Sequence, residues 1–249
     1  MDVRSGKFKR RPINCKDCSH ADRCFPSLLD DDEEVEQFDA MVRRKRPLAR
    51  GEVLFRQDGP FRSLFAIRAG SLKSYYLAED GVEQITGFLL PGELIGLIGM
   101  VADAYPVSAK SLEETFLCEV FFDPLGDSYQ RAPKLQKKVM RSLSRETREV
   151  QQLMWLLSRK TSEQRVAAFL VNFSARLRSR GFSTSTIRLS MSRTEISNYL
   201  GLAMETVSRA LARLQEDGLI VVSGKRLEVL DWLGLCGLAG GSKDRLGLR

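Results

Sequence analysis

The chain has 249 residues, enough for two domains, and its 43% hydrophobic and 29% charged residues are ordinary for a soluble globular protein. Its 39 basic and 32 acidic residues leave a net charge of +7, which favours an acidic partner such as nucleic acid or an anionic membrane surface. No apolar run approaches the roughly 18 residues of a membrane span, and no apolar stretch follows the basic N-terminus, so neither a membrane partner nor a secretory signal is expected. We expect a cytoplasmic protein whose five cysteines bind a metal or do redox work rather than form disulfides.

Cysteines are the most distinctive feature of the N-terminal region. Four of them are candidate ligands: Cys15, Cys18, Cys24 and Cys118. The first three are spaced as C-x2-C-x5-C in an arm that follows a basic tail over residues 1–12, and the fourth stands far along the chain. Four thiolates complete either a tetrahedral zinc site or a small iron–sulfur cluster, and spacing alone leaves both open. His20 could replace one thiol in a zinc site, although we expect it to face solvent.

The segment between the arm and residue 122 divides into a helix and a β-domain. Residues 28–45 are predicted to be helical, since apolar residues recur at helical spacing between an acidic start and a basic end. From Pro47 to Phe122, short apolar runs are separated by Gly, Asp and Pro, the pattern of a compact antiparallel β-domain. Cys118 lies in its segment ETFLCEVFF, where a lone cysteine is usually a small buried hydrophobe. The three thiols of the arm favour its use as a ligand instead.

A long helix is predicted over residues 131–159. One apolar stripe runs along it at spacings of three, four or seven residues: Leu135, Val139, Leu143, Val150, Met154 and Leu157. Near-heptad spacing with flanking charges favours a seam between two copies of the helix. The alternative is that the stripe packs on its own domain.

Two helix-start signatures mark the basic C-terminal region. The sequences T-x-x-Q and S-x-x-E, which begin at Thr161 and Ser192, have the spacing of capping boxes. The second opens a short helix over residues 193–200, which is followed by Gly201 and by a second helix from 204 to 217. Helix, glycine turn and helix form the helix-turn-helix pattern. The following LIVVSGKRLEVL predicts a hairpin wing with Ser223-Gly224 at its tip.

Taken together, these segments resemble the anaerobic-regulator (FNR) branch of the cyclic-AMP receptor superfamily of bacterial transcription factors. The resemblance covers residues 13–230 and is carried by the cysteine spacing and by SLFAIRAGSLKSYYLAEDGVEQITGFLLPGEL, LLSRKTSEQRVAAFL, RGFS and ETVSR. It implies an α+β fold with an N-terminal β-roll sensor domain, a long dimerisation helix and a C-terminal winged helix-turn-helix. The implied divisions are a cysteine-rich arm with its basic tail (1–26), the β-roll (27–130), the dimerisation helix (131–160), the DNA-binding domain (161–232) and a tail (233–249).

The same resemblance implies a function. The four cysteines would hold one oxygen-labile [4Fe–4S] cluster per subunit, and the cluster would favour a homodimer that binds double-stranded DNA and regulates anaerobic genes with RNA polymerase. No catalytic motif points to an enzyme: G-x-S-x-G, a Walker loop and a Cys–His pair are all missing. The alternative is a zinc-stabilised transcription factor of the same superfamily that does not sense oxygen. Cys236 is assigned to packing or to a free thiol, and Val150 departs from the best-known family member, which carries an acidic residue there.

Cyclic-nucleotide sensing is possible for a β-roll of this superfamily but is not expected here. The Gly-Glu of such a pocket is present as Gly92-Glu93. The segment AYPVSAKS has Pro106, Val107 and Ser108 where the phosphate-binding arginine would stand. An anionic phosphate would then be buried unpaired, at a cost of several kcal/mol.

The second helix of the helix-turn-helix carries the candidate base readers Glu205, Ser208 and Arg209, which share one face. Arginine suits the O6 and N7 atoms of guanine, glutamate suits the N4 amine of cytosine, and serine suits either type of base. The alternative is a surface Glu–Arg pair. By resemblance they read the half-sites of a TTGAT-N4-ATCAA palindrome. Phosphate contacts are assigned to Thr206, Arg193, Lys225 and Arg226.

Overall fold

The computed structural model describes residues 14–18, 24, 32–44, 46–121, 133–181 and 186–240. In the N-terminal half the elements are α1 (Asp32–Met41), β1 (Val42–Arg44), β2 (Val53–Phe55), β3 (Ser63–Ala69), β4 (Leu72–Leu77), β5 (Glu83–Leu89), β6 (Leu94–Ile95), α2 (Gly99–Ala102), β7 (Ser108–Ser111) and β8 (Phe116–Phe121). In the C-terminal half they are α3 (Pro133–Arg159), α4 (Ser162–Arg178), β9 (Thr186–Arg188), α5 (Arg193–Leu200), α6 (Met204–Glu216), β10 (Ile220–Ser223), β11 (Arg226–Val229) and α7 (Trp232–Leu238). The predicted α+β fold, with a β-roll, a long helix and a winged helix-turn-helix, is confirmed.

Two antiparallel four-stranded sheets build the β-roll. Their strand orders are β1-β8-β3-β6 and β2-β7-β4-β5. The central strand β3 is buried over its first five residues, and it pairs with β8 in a register that sets Ala66 opposite Cys118. A strand buried on both faces reads as a continuous apolar run, which explains the sequence SLFAIRA. Cys118 is therefore held by a ladder of backbone hydrogen bonds.

The helix predicted over residues 28–45 is wrong at its C-terminal end. The described part of α1 ends at Met41, and the next three residues form β1, whose partners on β8 run from Val120 back to Cys118. Pairing with a strand distant in sequence outweighs the local helical pattern of Val42, Arg43 and Arg44. Residues 28–31 lie outside the described part of the chain.

The C-terminal half follows the predicted local signals closely. Both capping boxes are formed, with the N–H of Gln164 donating to Thr161 Oγ1 and the N–H of Glu195 donating to Ser192 Oγ. Gly201 separates α5 from α6 with φ +60, a left-handed conformation that glycine adopts without strain. The apolar residues at the predicted core positions of α5 and α6 are buried, except Leu202, which is half-buried: Ile196, Leu200, Leu202, Val207, Leu211 and Leu214.

The wing contains one strand more than predicted. Strand β9 pairs with β11, so the wing is a three-stranded sheet in the order β10-β11-β9. The hairpin register sets Ser223 opposite Arg226, which leaves Gly224 and Lys225 as the two loop residues. The tip is thus one residue later than Ser223-Gly224.

The β-roll and the helix-turn-helix share one continuous apolar core. Tyr75, Ile85 and Phe88 of the roll belong to the same buried cluster as Phe169 of α4 and Leu200 of α5. Polar contacts border it: the N–H of Ile85 donates to Asn198 Oδ1 at 2.6 Å, and Asn198 Nδ2 donates to the carbonyl of Glu83 at 2.7 Å. Helix α5 is thus packed directly on β5. Within the described ranges, no helix has the length and apolar character needed to cross a bilayer.

Candidate thiolate and DNA-binding sites

Three of the four candidate ligands lie in one apolar cluster, here called the cysteine core. Its buried members are Cys15, Phe38, Val42, Leu64, Leu97, Met100, Val120 and Val139, and its partly buried members include Cys24, Cys118 and Leu143. The core joins the arm, α1, the roll and the start of α3. Cys18 is half-exposed and lies near enough to Cys118 to help raise the pKa of the Cys118 thiol. The arm and strand β8 are thus brought together, as the cysteine spacing predicts.

An ion pair connects the arm to the sheet. One carboxylate oxygen of Asp39 accepts from Arg44 Nη2 and, at 2.8 Å, from the backbone N–H of Cys15. Arg44 Nη2 also lies 3.9 Å from Cys15 Sγ. A second, exposed pair joins Lys16 Nζ to Glu36 at 2.9 Å. Two residues of the arm are therefore held to α1 by carboxylates.

The surroundings of Cys15 and Cys118 favour the protonated thiol. Burial raises the pKa of the Cys15 thiol, and its hydrogen bond to Asp39 raises that pKa further. Burial also raises the pKa of Cys118, although the nearby Arg68 and Arg44 act in the opposite direction. Because the thiolate is the metal ligand, binding of a metal here must release protons.

The described residues do not form a preassembled metal site. Nowhere in residues 14–18, 24, 32–44, 46–121, 133–181 and 186–240 do three His, Cys, Asp or Glu side chains converge closely enough to hold a metal ion. The chemistry of the donor set nevertheless fits an iron–sulfur cluster, since Cys15, Cys24 and Cys118 share one apolar core. The buried Nε–H of Arg44 also finds no acceptor there. His20 lies outside the described residues.

The apolar stripe of α3 divides into two parts. Val139 is only 1% exposed and Leu143 is half-buried, and both pack in the cysteine core of their own chain. Val150 and Met154 are 50% and 66% exposed. Leu157 is half-buried, and the side chain of Leu135 is not among the described ones. For the first part of the stripe, packing on its own domain describes the structure better than a seam.

The candidate base readers lie together on α6. Glu205 and Arg209 are exposed and Ser208 is half-buried. Arg209 Nη2 lies 3.4 Å from Thr206 Oγ1, and within the described part of the chain no ion pair joins it to Glu205. Arg193, at the start of α5, donates to Ser208 Oγ at 3.4 Å. The exposed carboxylate and guanidinium are therefore both available to a duplex.

The wing residues differ in their availability. Lys225 is half-buried, and its Nζ donates to the carbonyl of Ser190 at 3.0 Å, so this interaction competes with a phosphate contact. Arg226 is exposed.

Glu93 is held by two arginines, Arg176 of α4 and Arg180 just after the end of that helix. Gly92 has φ +84 and forms the turn that presents Glu93. Arg176 Nη2 donates to Glu93 at 2.6 Å, and Arg180 Nη2 donates to the other carboxylate oxygen. Burial disfavours the ionised form of Glu93, but the two guanidinium groups outweigh it and hold its pKa below the ordinary value. The glutamate expected as a retained turn therefore joins the roll to the DNA-binding half.

A cavity of about 480 Å³ lies beside this ion-pair site, between the roll and α3. Arg176, Glu93, Glu146 and Glu149 are among the residues that line it. Burial raises the pKa values of both Glu146 and Glu149. Arg141 and Arg145 also line it, so its wall carries three arginines as well as three glutamates, and charge alone does not decide which ligand it would take.

Comparisons with known proteins agree with this architecture. Residues 45–131 match the family of cyclic nucleotide-binding domains, and residues 164–238 match the Crp-like helix-turn-helix domain. The chain is 53% identical to the transcriptional activator protein Anr of Pseudomonas aeruginosa over 231 residues, which is 93% of this chain and 94% of that protein. It is 43% identical to the fumarate and nitrate reduction regulatory protein of Vibrio cholerae, over 93% of this chain and 92% of that protein.

The chain belongs to the anaerobic-regulator branch of the CRP/FNR family. It is a DNA-binding transcription regulator, like these relatives. Its fold is also that of FixK2 from Bradyrhizobium japonicum, with a TM-score of 0.74 and 29% identity over 81% of this chain and 98% of that one.

Several residues of this CRP/FNR regulator were not found by sequence analysis. Asp39, Arg44 and Arg176 carry no motif, since each is one of many charged residues in a basic chain. Asn198 lies in a correctly predicted helix, but its partner strand is distant in sequence. Arg180 opens the stretch RGFS and Glu93 lies in Gly92-Glu93, but that these two segments pair could not be deduced from the sequence.

Proposed function

We propose that the protein is an oxygen-responsive regulator in which Cys15, Cys18, Cys24 and Cys118 hold one [4Fe–4S] cluster per subunit. The loaded homodimer binds a TTGAT-N4-ATCAA-type palindrome in the cytoplasm and regulates anaerobic genes together with RNA polymerase. The observation that carries the proposal is that Cys15, Cys24 and Cys118 share one apolar core with Val139 of α3. A bound cluster supplies redox chemistry that zinc lacks. We infer no enzymatic activity.

The cysteine core supports coupling between ligand binding and the long helix. Cys15 of the arm and Val139 of α3 are both buried in it, at 8% and 1% exposure. When the four thiolates bind one group, the arm is fixed over the cysteine core, and the packing around Val139 is fixed with it. Release of the arm exposes Val139 and its neighbours in that core. The exposed part of the stripe contains Val150 and Met154. We propose that it forms the seam with α3 of the second subunit, and that release of the arm changes how the two helices align.

Metal analysis tests the cofactor. Protein purified without oxygen should contain about four iron and four sulfide per chain and absorb broadly near ~400 nm, as a [4Fe–4S] cluster requires. Cys236→Ser is the matched control for Ser variants of the four ligands, because it removes a buried thiol distant from the arm. Stoichiometric zinc without labile sulfide would instead support the zinc-stabilised alternative.

Sedimentation tests the homodimer. Met154→Glu places a charge on an exposed part of α3 and should lower association and DNA binding together while leaving the fold intact. Wild-type protein should be dimeric when loaded and mainly monomeric after aeration. One oligomeric state under both conditions contradicts a monomer–dimer switch.

Selection on randomised half-sites tests base readout. Arg209→Ala should weaken binding by roughly 1–3 kcal/mol per half-site and relax the preference at guanine. Glu205→Ala should relax the preference at the same base pair. It should leave non-specific binding equal or stronger, because a negative charge near phosphate is removed. Lys225→Ala should weaken binding to all DNA sequences alike, because it removes a phosphate contact. Equal enrichment of the G·C pair by wild type and Glu205→Ala would show that Glu205 is not a reader.

We further infer that no cyclic nucleotide is sensed, since Glu93 is already paired with Arg176 and Arg180. Cyclic AMP and cyclic GMP should leave the melting temperature unchanged. The division into an arm (1–26), a β-roll (27–130), a dimerisation helix (131–160), a DNA-binding domain (161–232) and a tail (233–249) remains part of the proposal. Limited proteolysis of loaded and aerated protein tests its first boundary.

A further inference from the structure

The residue opposite Cys118 on strand β1 is Arg44. The register of β1 and β8 makes the two direct Cα partners, and the Arg44 side chain extends to Cys15 Sγ, with Nη2 at 3.9 Å. A single guanidinium therefore lies between a candidate ligand of the arm and a candidate ligand of the sheet. Its neighbour Arg43 is exposed and lies over the ring of Phe121, because successive strand residues face opposite sides.

Asp39 holds Arg44 in this position. The same Asp39 oxygen accepts from Arg44 Nη2 and from the backbone N–H of Cys15, so the carboxylate connects α1, β1 and the arm. The side chains of Arg44 and Asp39 are only 20% and 26% exposed, so water screens the pair weakly. Around metal sites, carboxylates commonly hydrogen-bond the groups that contact the metal ligands and so hold those groups in position.

One donor of Arg44, its Nε–H, is buried without an acceptor among the described residues. Buried donors are nearly always paired in native structures, so an unpaired one beside two candidate ligands points to an acceptor that arrives later. Ligand thiolate or inorganic sulfide is such an acceptor, and hydrogen bonds to these sulfurs set the potential and the stability of iron–sulfur clusters.

We propose that Arg44, held by Asp39, is a positioning residue that fixes Cys15 beside Cys118 and donates to the sulfurs of the bound group. The inference rests on the proposed function, since it needs an iron–sulfur group in this place. Arg44 adds to the four ligands a cationic donor that lies in neither cysteine motif. Asp39 contributes through Arg44 and through the backbone of Cys15.

The test compares Arg44→Gln with Arg43→Gln, which removes an equal charge from the neighbouring position on the same strand. Both proteins are reconstituted without oxygen, and iron and sulfide are counted. The rate of iron loss to a chelator is then measured, together with the reduction potential and the visible circular dichroism. Arg44→Gln should lose iron roughly 10–100-fold faster, the usual effect of removing an outer-layer partner. It should also have a lower potential and an altered visible spectrum, whereas Arg43→Gln should match wild type.

Two further variants separate positioning from folding. Asp39→Asn retains an acceptor for the Cys15 N–H but loses the ion pair. Its rate of iron loss should lie between those of wild type and Arg44→Gln. Arg44→Lys keeps the charge without the planar set of donors and should restore the fold but not the spectrum. A wild-type spectrum and iron retention in Arg44→Lys would overturn the role of the guanidinium.

The outcomes distinguish this inference from the function on which it rests. Wild-type protein that takes up no iron or sulfide overturns both. Wild-type protein that takes up both, while Arg44→Gln and Arg43→Gln lose iron at the same rate with the same potential, overturns only the role of Arg44.

Discussion

The Glu93 site and the thiolate site lie at opposite edges of the same sheet, whose strand order is β1-β8-β3-β6. Glu93 directly precedes β6, and Arg44 ends β1. At the first edge a buried carboxylate is paired with two guanidiniums of its own chain. At the second edge burial raises the pKa values of the Cys15 and Cys118 thiols, and the buried Nε–H of Arg44 meets no acceptor among the described residues. We call the first edge complete and the second incomplete, because only the second keeps an unpaired donor.

This difference explains how one fold serves different signals. In a β-roll that has a vacant Glu and a phosphate-binding arginine, a ligand can join the roll to the rest of the chain. Here Arg176 of α4 and Arg180, just after that helix, make the connection within the chain. Under the proposed function, the response is left to the opposite edge, where the arm and α3 meet in the cysteine core.

Breaking the complete edge should have the largest effect on stability. Glu93→Gln leaves two buried arginines without their counter-charge, so the free energy of unfolding should fall by about 3–5 kcal/mol. Denaturant unfolding of the cluster-free protein measures this. The control is Glu216→Gln, which removes the exposed partner of Arg213 and should change stability by less than about 1 kcal/mol. Equal losses in the two variants would mean that the buried pair holds nothing together.

Breaking the incomplete edge should affect only the loaded protein. A ligand at 100 times its dissociation constant adds about 2.7 kcal/mol to the free energy of unfolding, and a tight cluster site should add at least that. Cys118→Ser should abolish this increment but leave the cluster-free protein close to wild type. Cys236→Ser, which removes a buried thiol of the C-terminal core, should retain the increment. The comparison fails if loaded and cluster-free wild type unfold alike.

How much of each edge could be predicted follows from how local its determinants are. The short helix over 193–200 was correct to the residue because Ser192 and Gly201 are local stop signals. The strand at Arg44 was missed because its partner, Cys118, is distant in sequence. Periodicity identified the apolar face that contains Val139 but left open whether a second copy or its own domain covers it, and in the structure the cysteine core of its own chain does. The cysteine spacing named candidate ligands, whereas Arg44 had no such signal.

A smaller effect should come from the hydrogen bonds beside the complete edge. Asn198→Ala removes the partners of the Ile85 N–H and the Glu83 carbonyl, which should lower the free energy of unfolding by roughly 1–3 kcal/mol. Asn198→Asp keeps the acceptor for Ile85 but sets a carboxylate oxygen against the Glu83 carbonyl, so it should lose at least as much. Because α5 opens the helix-turn-helix, DNA affinity measured in parallel shows whether the packing of the two halves matters for binding. A loss as large as that of Glu93→Gln would show that the ion pairs are not the main connection.

The smallest expected effect concerns a second acid beside the complete edge. Glu149 lines the same cavity as Glu93, but burial raises its pKa above the ordinary 4.5, while the arginines lower that of Glu93. A raised carboxyl pKa means that the folded state binds the proton more tightly, so this contribution to stability is present below pH 4.5 and is lost as pH rises through the folded value. Ionised Glu149 therefore opposes folding at neutral pH.

Glu149→Gln should accordingly stabilise the cluster-free protein slightly at pH 7, and its advantage over wild type should shrink as pH falls toward 4.5. Glu93→Gln should show the opposite pattern, since a lowered carboxyl pKa gives stability that is present above pH 4.5 and is lost as pH falls through the folded value. Unfolding curves of the three proteins across this range measure both slopes. If the difference between Glu149→Gln and wild type has the same sign as that of Glu93→Gln, the two acids are not in opposite electrostatic environments, and Arg176 and Arg180 neutralise the whole cavity rather than Glu93 alone.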